Sequence, residues 1–252
     1  MKAKVQILAA LALTSASFGA AYAKAPGQEF KLSEANRPAE DVARDASRKP
    51  AEMVKFAMIN PGQTVVDMLP GSGYFTRIFS QAVGPKGKVV ALVAREYAAQ
   101  YPQMGTGITS LAAEPAYENV EAAIRGLSEV GADNSVDLVW TAQNYHDLKS
   151  AKLPAGTAAF INSAVFKALK PGGHYVIVDH SAAAGSGLRD VDTLHRIDAE
   201  ALKAEVLAAG FVFDGESKLL VNTADDHSKI VFDPAIRGKT DQFAFRFVKP
   251  KQ

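Results

Sequence analysis

The chain has 252 residues, with 28 lysines and arginines against 27 acids, and a formal net charge of +1 at pH 7. A balance so close to neutral gives no bulk attraction to nucleic acid or to anionic membranes, so we expect neither as a partner. The chain has no cysteine, which excludes a disulfide framework and a cysteine-linked lipid anchor.

The first 23 residues have the pattern of a secretory signal peptide. Lys2 and Lys4 make a basic start, residues 5–21 are small and apolar, and Ala21-Tyr22-Ala23 has the form of a cleavage site. The alternatives are a membrane anchor or a buried helix, but the stretch falls short of the ~20 strongly apolar residues of a span. We predict cleavage after Ala23 and a periplasmic or secreted protein without a stable membrane anchor. Cleavage would remove two lysines and no acid, which changes the formal net charge from +1 to −1.

Residues 24–60 are predicted to form an N-terminal helical extension, with a helix start at 37–41 and a second helix over 51–59. Residues 61–252 alternate β-branched runs with apolar helical stretches, as in one domain. The predicted strands are 64–68, 88–93, 120–124, 136–141, 175–179, 211–213 continued at 218–221, and 242–248. The predicted helices of this part are 74–83, 157–169 and 199–209, with a turn at 170–173 and irregular or weakly helical chain over 97–118.

Strands that alternate with helices predict an α/β fold with a Rossmann-like, doubly wound, seven-stranded sheet that is mostly parallel. The last two strands have no helix between them, so we expect them to pair antiparallel. In such sheets the ligand crevice lies outside the carboxyl ends of the parallel strands. That edge comprises residues 70–74, 94–97, 143–147, 179–184 and 222–241, where polar and titratable side chains are concentrated.

The turn after the first strand reads Asp67-Met68-Leu69-Pro70-Gly71-Ser72-Gly73. A dinucleotide fingerprint would need a third glycine at Thr76 and an acid after the glycines rather than before them. A phosphate-binding P-loop ending at Gly238-Lys239-Thr240 fails as well, because Asp233 occupies the place of its first glycine. What remains is an acid near a strand end, followed by a glycine turn that can present backbone N–H groups to a ligand.

This turn resembles the first motif of the class I S-adenosylmethionine-dependent methyltransferases. The resemblance continues in residues 134–140 and 169–179, and it covers roughly the whole mature chain in element order. Residues 144–147, 179–182 and 237–243 resemble a bacterial group of predicted exported methyltransferases. The resemblance implies S-adenosylmethionine as cofactor and a small molecule as methyl acceptor.

By this resemblance, Asp67 would hold the amino group of the cofactor's methionine part, directly or through water. Gly71 and Gly73 would let the backbone approach the cofactor, and Leu69 stands where the family has its first glycine. Glu96 follows the second strand, near the place of the family's acid for the ribose hydroxyls. The implied cofactor-binding residues are Asp67, Leu69, Gly71, Ser72, Gly73, Tyr74, Glu96, Asn144 and Tyr145.

Residues 144–147 follow the fourth strand, a place that in the family faces the transferred methyl group. His146 could take a proton from an acceptor hydroxyl or thiol near neutral pH. Asn144 could orient a ligand, and Tyr145 could place its ring against the sulfonium. Asp179 and His180, at the end of the fifth strand, would lie around the substrate as further catalytic residues. The alternative is structural, with Asp147 capping the next helix and His146 hydrogen-bonded within its loop.

His195 lies on or near a predicted helix start, and Asp225, Asp226 and His227 lie in the loop between the last two strands, which opens on the same edge. They are compatible with a zinc or iron site, with a substrate pocket, or with loop caps and surface pairs. No histidine pair has the His-x-x-x-His spacing of helix ligands, so we assign no metal-binding residue. A non-catalytic small-molecule binding protein and a metal-dependent enzyme stay open as alternative functions. No feature of the sequence indicates an oligomeric state.

Overall fold

The computed structural model describes residues 30–251. The predicted signal peptide lies outside the described residues, and its cleavage site therefore stays a prediction. Within residues 30–251, none of the helices combines the length and the apolar character needed to cross a membrane.

One sheet of seven strands organises the described chain. Its strands are β1 (Thr64–Met68), β2 (Lys88–Ala94), β3 (Val120–Arg125), β4 (Val136–Ala142), β5 (Leu169–His180), β6 (Val212–Ser217) and β7 (Gln242–Val248). The helices are α1 (Ala39–Val42), α2 (Asp45–Arg48), α3 (Pro50–Phe56), α4 (Tyr74–Val83), α5 (Arg95–Gln100), α6 (Pro102–Ala112), α7 (Thr157–Ala168), α8 (Val191–Leu194) and α9 (Ala199–Ala208). Single 3-10 turns lie at Pro115–Tyr117 and His146–Lys149.

The strand order across the sheet is β3-β2-β1-β4-β5-β7-β6. The first five of these strands run parallel to one another, and β7 pairs antiparallel with both β5 and β6. The predicted doubly wound α/β sheet is confirmed, including the antiparallel pairing of the last two strands. The order reverses between β1 and β4, and ligands of such sheets bind beside this switch point.

Helices bury both faces of the sheet. Along β1, Val65 belongs to one hydrophobic cluster and its neighbour Val66 to the other, because successive side chains of a strand point to opposite faces. Met53 and Val54 of α3 belong to the same cluster as Val65. The N-terminal extension therefore shares its core with the sheet, and the predicted boundary near residue 61 stays a prediction.

Three segments differ from the sequence-based expectation. The predicted turn at 170–173 lies inside β5, because Leu169 already pairs with Val136 and a register shift accommodates the irregular residues that follow. The predicted strand at 218–221 is wrong, since β6 ends at Ser217. Gly215, with φ 149°, forms a bulge against β7 that keeps the two strands paired within 212–217. Residues 97–118 are more helical than predicted.

The helical character of residues 97–118 comes from packing that the sequence pattern shows only weakly. Pro102 stands at the start of α6, where its fixed φ and missing N–H suit a helix. Ile108 and Leu111 of this helix are buried in the same cluster as α4 and β2. Glycines at 105 and 107 lower the helix propensity of the segment, and tertiary burial overrides it.

Candidate active site

The turn after β1 places three alternate residues in the left-handed backbone region. Leu69, Gly71 and Gly73 have φ of 60°, 59° and 83°. This region is open to glycine, whereas a side chain with a Cβ is disfavoured there. Leu69 therefore has the backbone conformation that a glycine would take. Every second residue of the turn is left-handed, as in a turn with three alternating glycines, although the first of them is a leucine.

The Leu69 side chain turns into the core beneath the turn, with only 7% of the residue exposed. Its N–H donates to the carbonyl of Leu92 at 2.9 Å, and its carbonyl accepts from Asn144 Nδ2 at 3.0 Å. Leu69 thus shapes the turn and ties β1 to β2 and to the loop after β4. The prediction that Leu69 contacts the cofactor is corrected for the side chain, which the core encloses and which therefore does not face the open side of the turn.

The glycine turn leaves main chain accessible at its tip. Gly71 and Ser72 are exposed, and a Cβ at Gly71 would meet no atom within 4 Å. A Cβ at Gly73 would lie 2.5 Å from Leu111 Cδ1, so a larger residue would require the Leu111 side chain to move, and the φ of 83° also favours glycine. The N-cap of the ten-residue helix α4 is Gly73, which has no side chain to cap the first N–H groups that follow this turn. Uncapped N–H groups beside an open turn can bind a polar ligand.

Asp67 lies near the end of β1 and is 3% exposed. Its Oδ2 accepts a hydrogen bond from Thr76 Oγ1 at 2.6 Å. Burial raises the pKa of Asp67 to about 7, against the opposing effects of the Thr76 hydrogen bond and the charge of Arg48. A carboxylate that is penalised by burial gains most from a nearby cationic group, so Asp67 is suited to bind an ammonium.

The N-terminal extension encloses Tyr74, the first residue of α4. The Tyr74 hydroxyl donates to Asp45 Oδ1 at 2.7 Å, and the guanidinium of Arg48 lies 4.8 Å from the ring centroid. Arg48 Nη2 also donates to Gln143 Oε1 at 3.0 Å. Tyr74 therefore faces the extension, which differs from the predicted contact with the cofactor. The extension reaches the carboxyl end of β4 through Arg48.

The loop after β4 is fixed by Asn144 and Tyr145. Asn144 Nδ2 donates to the carbonyls of Leu69 at 3.0 Å and of Ala142 at 2.6 Å, which locks this loop to the glycine turn. Tyr145 is fully buried, and its hydroxyl donates to Glu205 Oε2 at 2.9 Å. The prediction that the Tyr145 ring faces a bound sulfonium is wrong, because the polar partner of the phenol lies in α9 and holds the ring in the core.

His146 and Asp179 form a buried pair between the ends of β4 and β5. Asp179 is 0% exposed and accepts from the His146 N–H at 2.7 Å, and its other oxygen lies 2.8 Å from His146 Nδ1. Burial opposes protonation of His146, but the charge of Asp179 and the hydrogen bond to it prevail, so the pKa of His146 is raised. The same contacts outweigh burial at Asp179 and lower its pKa. A neutral His146 consequently carries its proton on Nδ1 and leaves Nε2 as the basic atom.

Asp147 and His195 complete a triangle of atoms with His146. His146 Nε2 lies 3.3 Å from His195 Nδ1 and 3.4 Å from Asp147 Oδ1, and the last two atoms lie 3.6 Å apart. The sequence predicted Asp147 only as a helix cap, and His195 only as one of several histidines and acids at this edge. Asp147 follows β4 and His195 follows α8, but no spacing in the sequence indicates that the two residues meet.

His180 lies beside this cluster, with its ring centroid 6.1 Å from that of His146. Its Nδ1 is 2.8 Å from Thr240 Oγ1. Burial lowers the pKa of His180 to about 4, although the charge of Asp179 acts in the opposite direction. His180 is therefore a neutral hydrogen-bonding group at physiological pH. Glu96 is exposed in the first turn of α5, directly after β2.

The acids and histidine at 225–227 hold the long loop before β7 in place. Arg196 is fully buried and lies 2.9 Å from Asp225 Oδ2. His227 Nε2 is 3.0 Å from Asp241 Oδ2. These contacts fit the structural alternative that the sequence left open, although the Arg196–Asp225 pair is buried and is not a surface pair. His227 bonds within its own loop, to a different acid from those around His146.

Comparisons with known proteins are consistent with this arrangement. The family model of protein-L-isoaspartate(D-aspartate) O-methyltransferases matches residues 37–100, which include the glycine turn. Among solved structures, a SAM-dependent methyltransferase from Aquifex aeolicus has a TM-score of 0.59 and 19% identity, covering 81% of this chain and 92% of that chain. The [4+2]-cyclase SpnF has a TM-score of 0.59 and 17% identity, covering 82% of each chain.

A protein from Bordetella parapertussis described as a "possible exported protein" is also similar, with a TM-score of 0.52 and 16% identity over 82% of this chain and 68% of that chain. No relative was found among curated proteins. At these identities the structural likeness concerns the fold, and the chemistry has to be argued from the site itself.

Proposed function

We propose that this chain, which has the fold of the class I S-adenosylmethionine-dependent methyltransferases, transfers a methyl group from S-adenosylmethionine to a small molecule. The observation that carries the proposal is the pairing of two features at one sheet edge. The buried Asp67 lies near the end of β1, and an open glycine turn follows that strand. His146, after the neighbouring strand β4, pairs with Asp179 at the end of β5. Asn144 joins the two by its hydrogen bond to Leu69.

The residues around the glycine turn fit the chemistry of this cofactor. Asp67 would bind the ammonium of the methionine part, since within residues 30–251 its buried carboxylate has no cationic hydrogen-bond partner. The exposed main chain of Gly71 and Ser72 would approach the cofactor. Glu96 offers its carboxylate to the ribose hydroxyls from the start of α5. Leu69, Tyr74 and Tyr145 would support the site from behind, because their side chains are enclosed.

S-adenosylmethionine supplies an electrophilic methyl group on a positively charged sulfur when it is bound. Transfer to a hydroxyl or thiol needs an acceptor that loses its proton. Asp179 holds the His146 ring so that Nδ1 donates to the carboxylate and Nε2 can take that proton. Asp179 would then stabilise the imidazolium that forms. His180, neutral at physiological pH, would orient the acceptor by a hydrogen bond from its second ring nitrogen.

Product analysis tests this proposal directly. The protein is incubated with S-adenosylmethionine and a panel of small alcohols, phenols, thiols and carboxylic acids, and S-adenosylhomocysteine is measured by mass spectrometry. Acceptor-dependent S-adenosylhomocysteine that falls in His146→Gln and persists in His227→Ala supports methyl transfer. Saturable binding of S-adenosylmethionine without any transfer would instead favour a binding protein, or a different reaction such as that of the similar [4+2]-cyclase.

We further propose that the protein is exported and works outside the cytoplasm. The proposal rests on the signal-peptide pattern of residues 1–23 and on the likeness to the Bordetella protein. Fractionation of the source cells, with sequencing of the mature N-terminus, should find the chain outside the cytoplasm beginning at Lys24. A cytoplasmic chain that keeps residues 1–23 would refute export, but it would not affect the proposal of methyl transfer.

A further inference from the structure

We propose that this protein binds one divalent transition-metal ion of the zinc or iron(II) type through His146 Nε2, His195 Nδ1 and Asp147 Oδ1. These three atoms form the one group of potential ligands of this kind within residues 30–251. The three distances between them are 3.3, 3.4 and 3.6 Å. Ligand atoms that each lie about 2.1 Å from a tetrahedral ion are about 3.4 Å apart, so the triangle has the dimensions of a metal site.

The hydrogen bond to Asp179 prepares His146 as a ligand. Asp179 is fully buried and accepts from both the N–H and the Nδ1 of His146. It also accepts from the N–H of His180 at 2.8 Å, which fixes the carboxylate itself. The Nε2 lone pair of His146 is thereby directed at His195 and Asp147. A carboxylate bonded to the outer nitrogen of a ligating histidine is the usual support of such sites, because it orients the ring and raises its basicity.

The backbone presents His195 to the other two ligands in a disfavoured conformation. His195 follows α8 with φ 54°, in the left-handed region. Its neighbour Arg196 is buried and donates to the Ser181 carbonyl at 3.0 Å, which anchors the segment to the end of β5. Phe232 covers the ring at a centroid distance of 4.9 Å. Non-glycine residues held in this region are concentrated at functional sites.

The donor set and its exposure indicate the class of ion. Two imidazoles and one carboxylate suit zinc, iron(II) or cobalt(II), whereas magnesium and calcium prefer oxygen ligands throughout. The side chains of His195 and Asp147 are 33% and 32% exposed, so an ion can reach the site from solvent. Three protein ligands leave at least one position for water or for an oxygen or sulfur of a small molecule.

Binding of the ion does not depend on the proposed methyl transfer, but a role of the ion in activating the acceptor does. An acceptor hydroxyl or thiol on the open position would lose its proton to solvent, because the charge of the ion lowers its pKa. With the ion bound, His146 Nε2 would be a ligand and the ion would activate the acceptor; the role of His146 as base belongs to the metal-free protein. The acceptor oxygen or sulfur would form a bond to the methyl carbon while the bond from that carbon to the cofactor sulfur breaks.

Metal titration of the untagged full chain tests the site without any measurement of activity. After treatment with a chelator, the protein is titrated with Zn²⁺ by calorimetry and with Co²⁺ by visible absorption. We expect one ion per chain, and we expect bound Co²⁺ to show the intense visible bands that are typical of a low coordination number. His195→Ala and Asp147→Ala should each weaken binding at least about 10-fold, and Asp179→Asn by about 10- to 100-fold.

The matched control is His227→Ala, which removes a histidine bonded to Asp241 outside the site and should bind both ions as the parent does. Circular dichroism of each variant shows whether it is folded. Absence of stoichiometric binding to the parent would overturn the proposal. Unchanged affinity in a folded His195→Ala variant would overturn it equally. Separate calorimetry with S-adenosylmethionine shows whether a failed metal titration also involves the proposed cofactor site.

Discussion

Asp179 accepts hydrogen bonds from two groups of His146, the backbone N–H at 2.7 Å and ring Nδ1 at 2.8 Å. This double contact fixes both the position of the residue and the orientation of its ring. It assigns the proton to Nδ1 and turns the lone pair of Nε2 away from β5, towards Asp147 and His195. Asp179, which is fully buried, therefore determines which nitrogen of His146 faces the site.

Removing the His146 ring should separate catalysis from cofactor binding. In His146→Ala we expect kcat to fall by about 10²- to 10⁴-fold, the usual contribution of a positioned acid–base group. The dissociation constant of S-adenosylmethionine should change little, because Asp67 and the glycine turn lie on a different strand end. Steady-state kinetics and calorimetry on the same preparation measure both quantities. A large loss of cofactor affinity would show that His146 supports the cofactor site and would refute its separate role.

Replacing Asp67 by asparagine should abolish most cofactor binding and its dependence on pH. Burial raises the pKa of Asp67 to about 7, so binding of an ammonium below that pH requires release of a proton. We expect cofactor affinity to rise with pH up to about 7, over a range where an α-amino group stays protonated. Asp67→Asn should bind at least about 10-fold more weakly at pH 7, because it loses a charge-assisted contact. Calorimetric titration at several pH values checks both expectations.

The same Asp67 substitution has a predicted signature in stability. The folded carboxyl has its pKa raised from 3.8 to about 7, so between these values the folded protein binds more protons than the unfolded chain. The contribution of Asp67 to the free energy of unfolding therefore decreases as pH rises through this window. In denaturant titrations, the free energy of unfolding of Asp67→Asn should therefore increase relative to that of the parent as the pH rises from about 4 to about 7. A difference that stays constant with pH would contradict the buried, destabilised acid.

Leu69 should show an unusual order of substitution effects. Leu69→Ala loses buried contacts, which costs about 2–5 kcal/mol, and keeps a Cβ in the left-handed region. Leu69→Gly loses slightly more surface but relieves about 1–2 kcal/mol of backbone strain. We therefore expect Leu69→Gly to be no less stable than Leu69→Ala in denaturant titrations. Leu202, which is also buried but lies inside α9, is the control, and there glycine should be less stable than alanine by about 1 kcal/mol.

His180 should remain neutral well below the ordinary pKa of histidine. Burial lowers its pKa from 6.5 to about 4, so the unfolded chain takes up this proton before the folded protein does. Its contribution to the free energy of unfolding therefore falls as pH drops from 6.5 towards 4. The ring resonances of His180 in NMR spectra should stay unchanged from about pH 8 down to about pH 5. Titration of this ring near pH 6.5 would show that it is not buried as described.

Most of the fold could be predicted from the sequence because its strands are continuous apolar runs between clear turns. β1, α4 and β7 have the predicted bounds. The segment 97–118 could not be predicted as well, since its helices depend on burial of Ile108 and Leu111 against other elements. Gly215 reads as a strand break in the sequence, whereas pairing with β7 turns it into a bulge.

The site was predictable in location but less so in detail. The rule that ligands bind at the carboxyl ends of parallel strands brought His146 and Asp179 to one edge, and the structure pairs them. The direction of the Tyr145 ring could not be derived, because it depends on Glu205 of α9, 60 residues away. The meeting of Asp147 with His195 depends in the same way on where the chain turns after α8.

Binding of the cofactor can be measured by calorimetric titration of the protein with S-adenosylmethionine and S-adenosylhomocysteine. We expect saturable heat with one site per chain for both molecules, and an affinity at least about 10-fold weaker in Asp67→Asn. His227→Ala, outside the site, should bind as the parent does. No measurable heat at about millimolar ligand, with the parent protein folded, would mean a binding free energy weaker than about −4 kcal/mol and would refute an S-adenosylmethionine site in this protein.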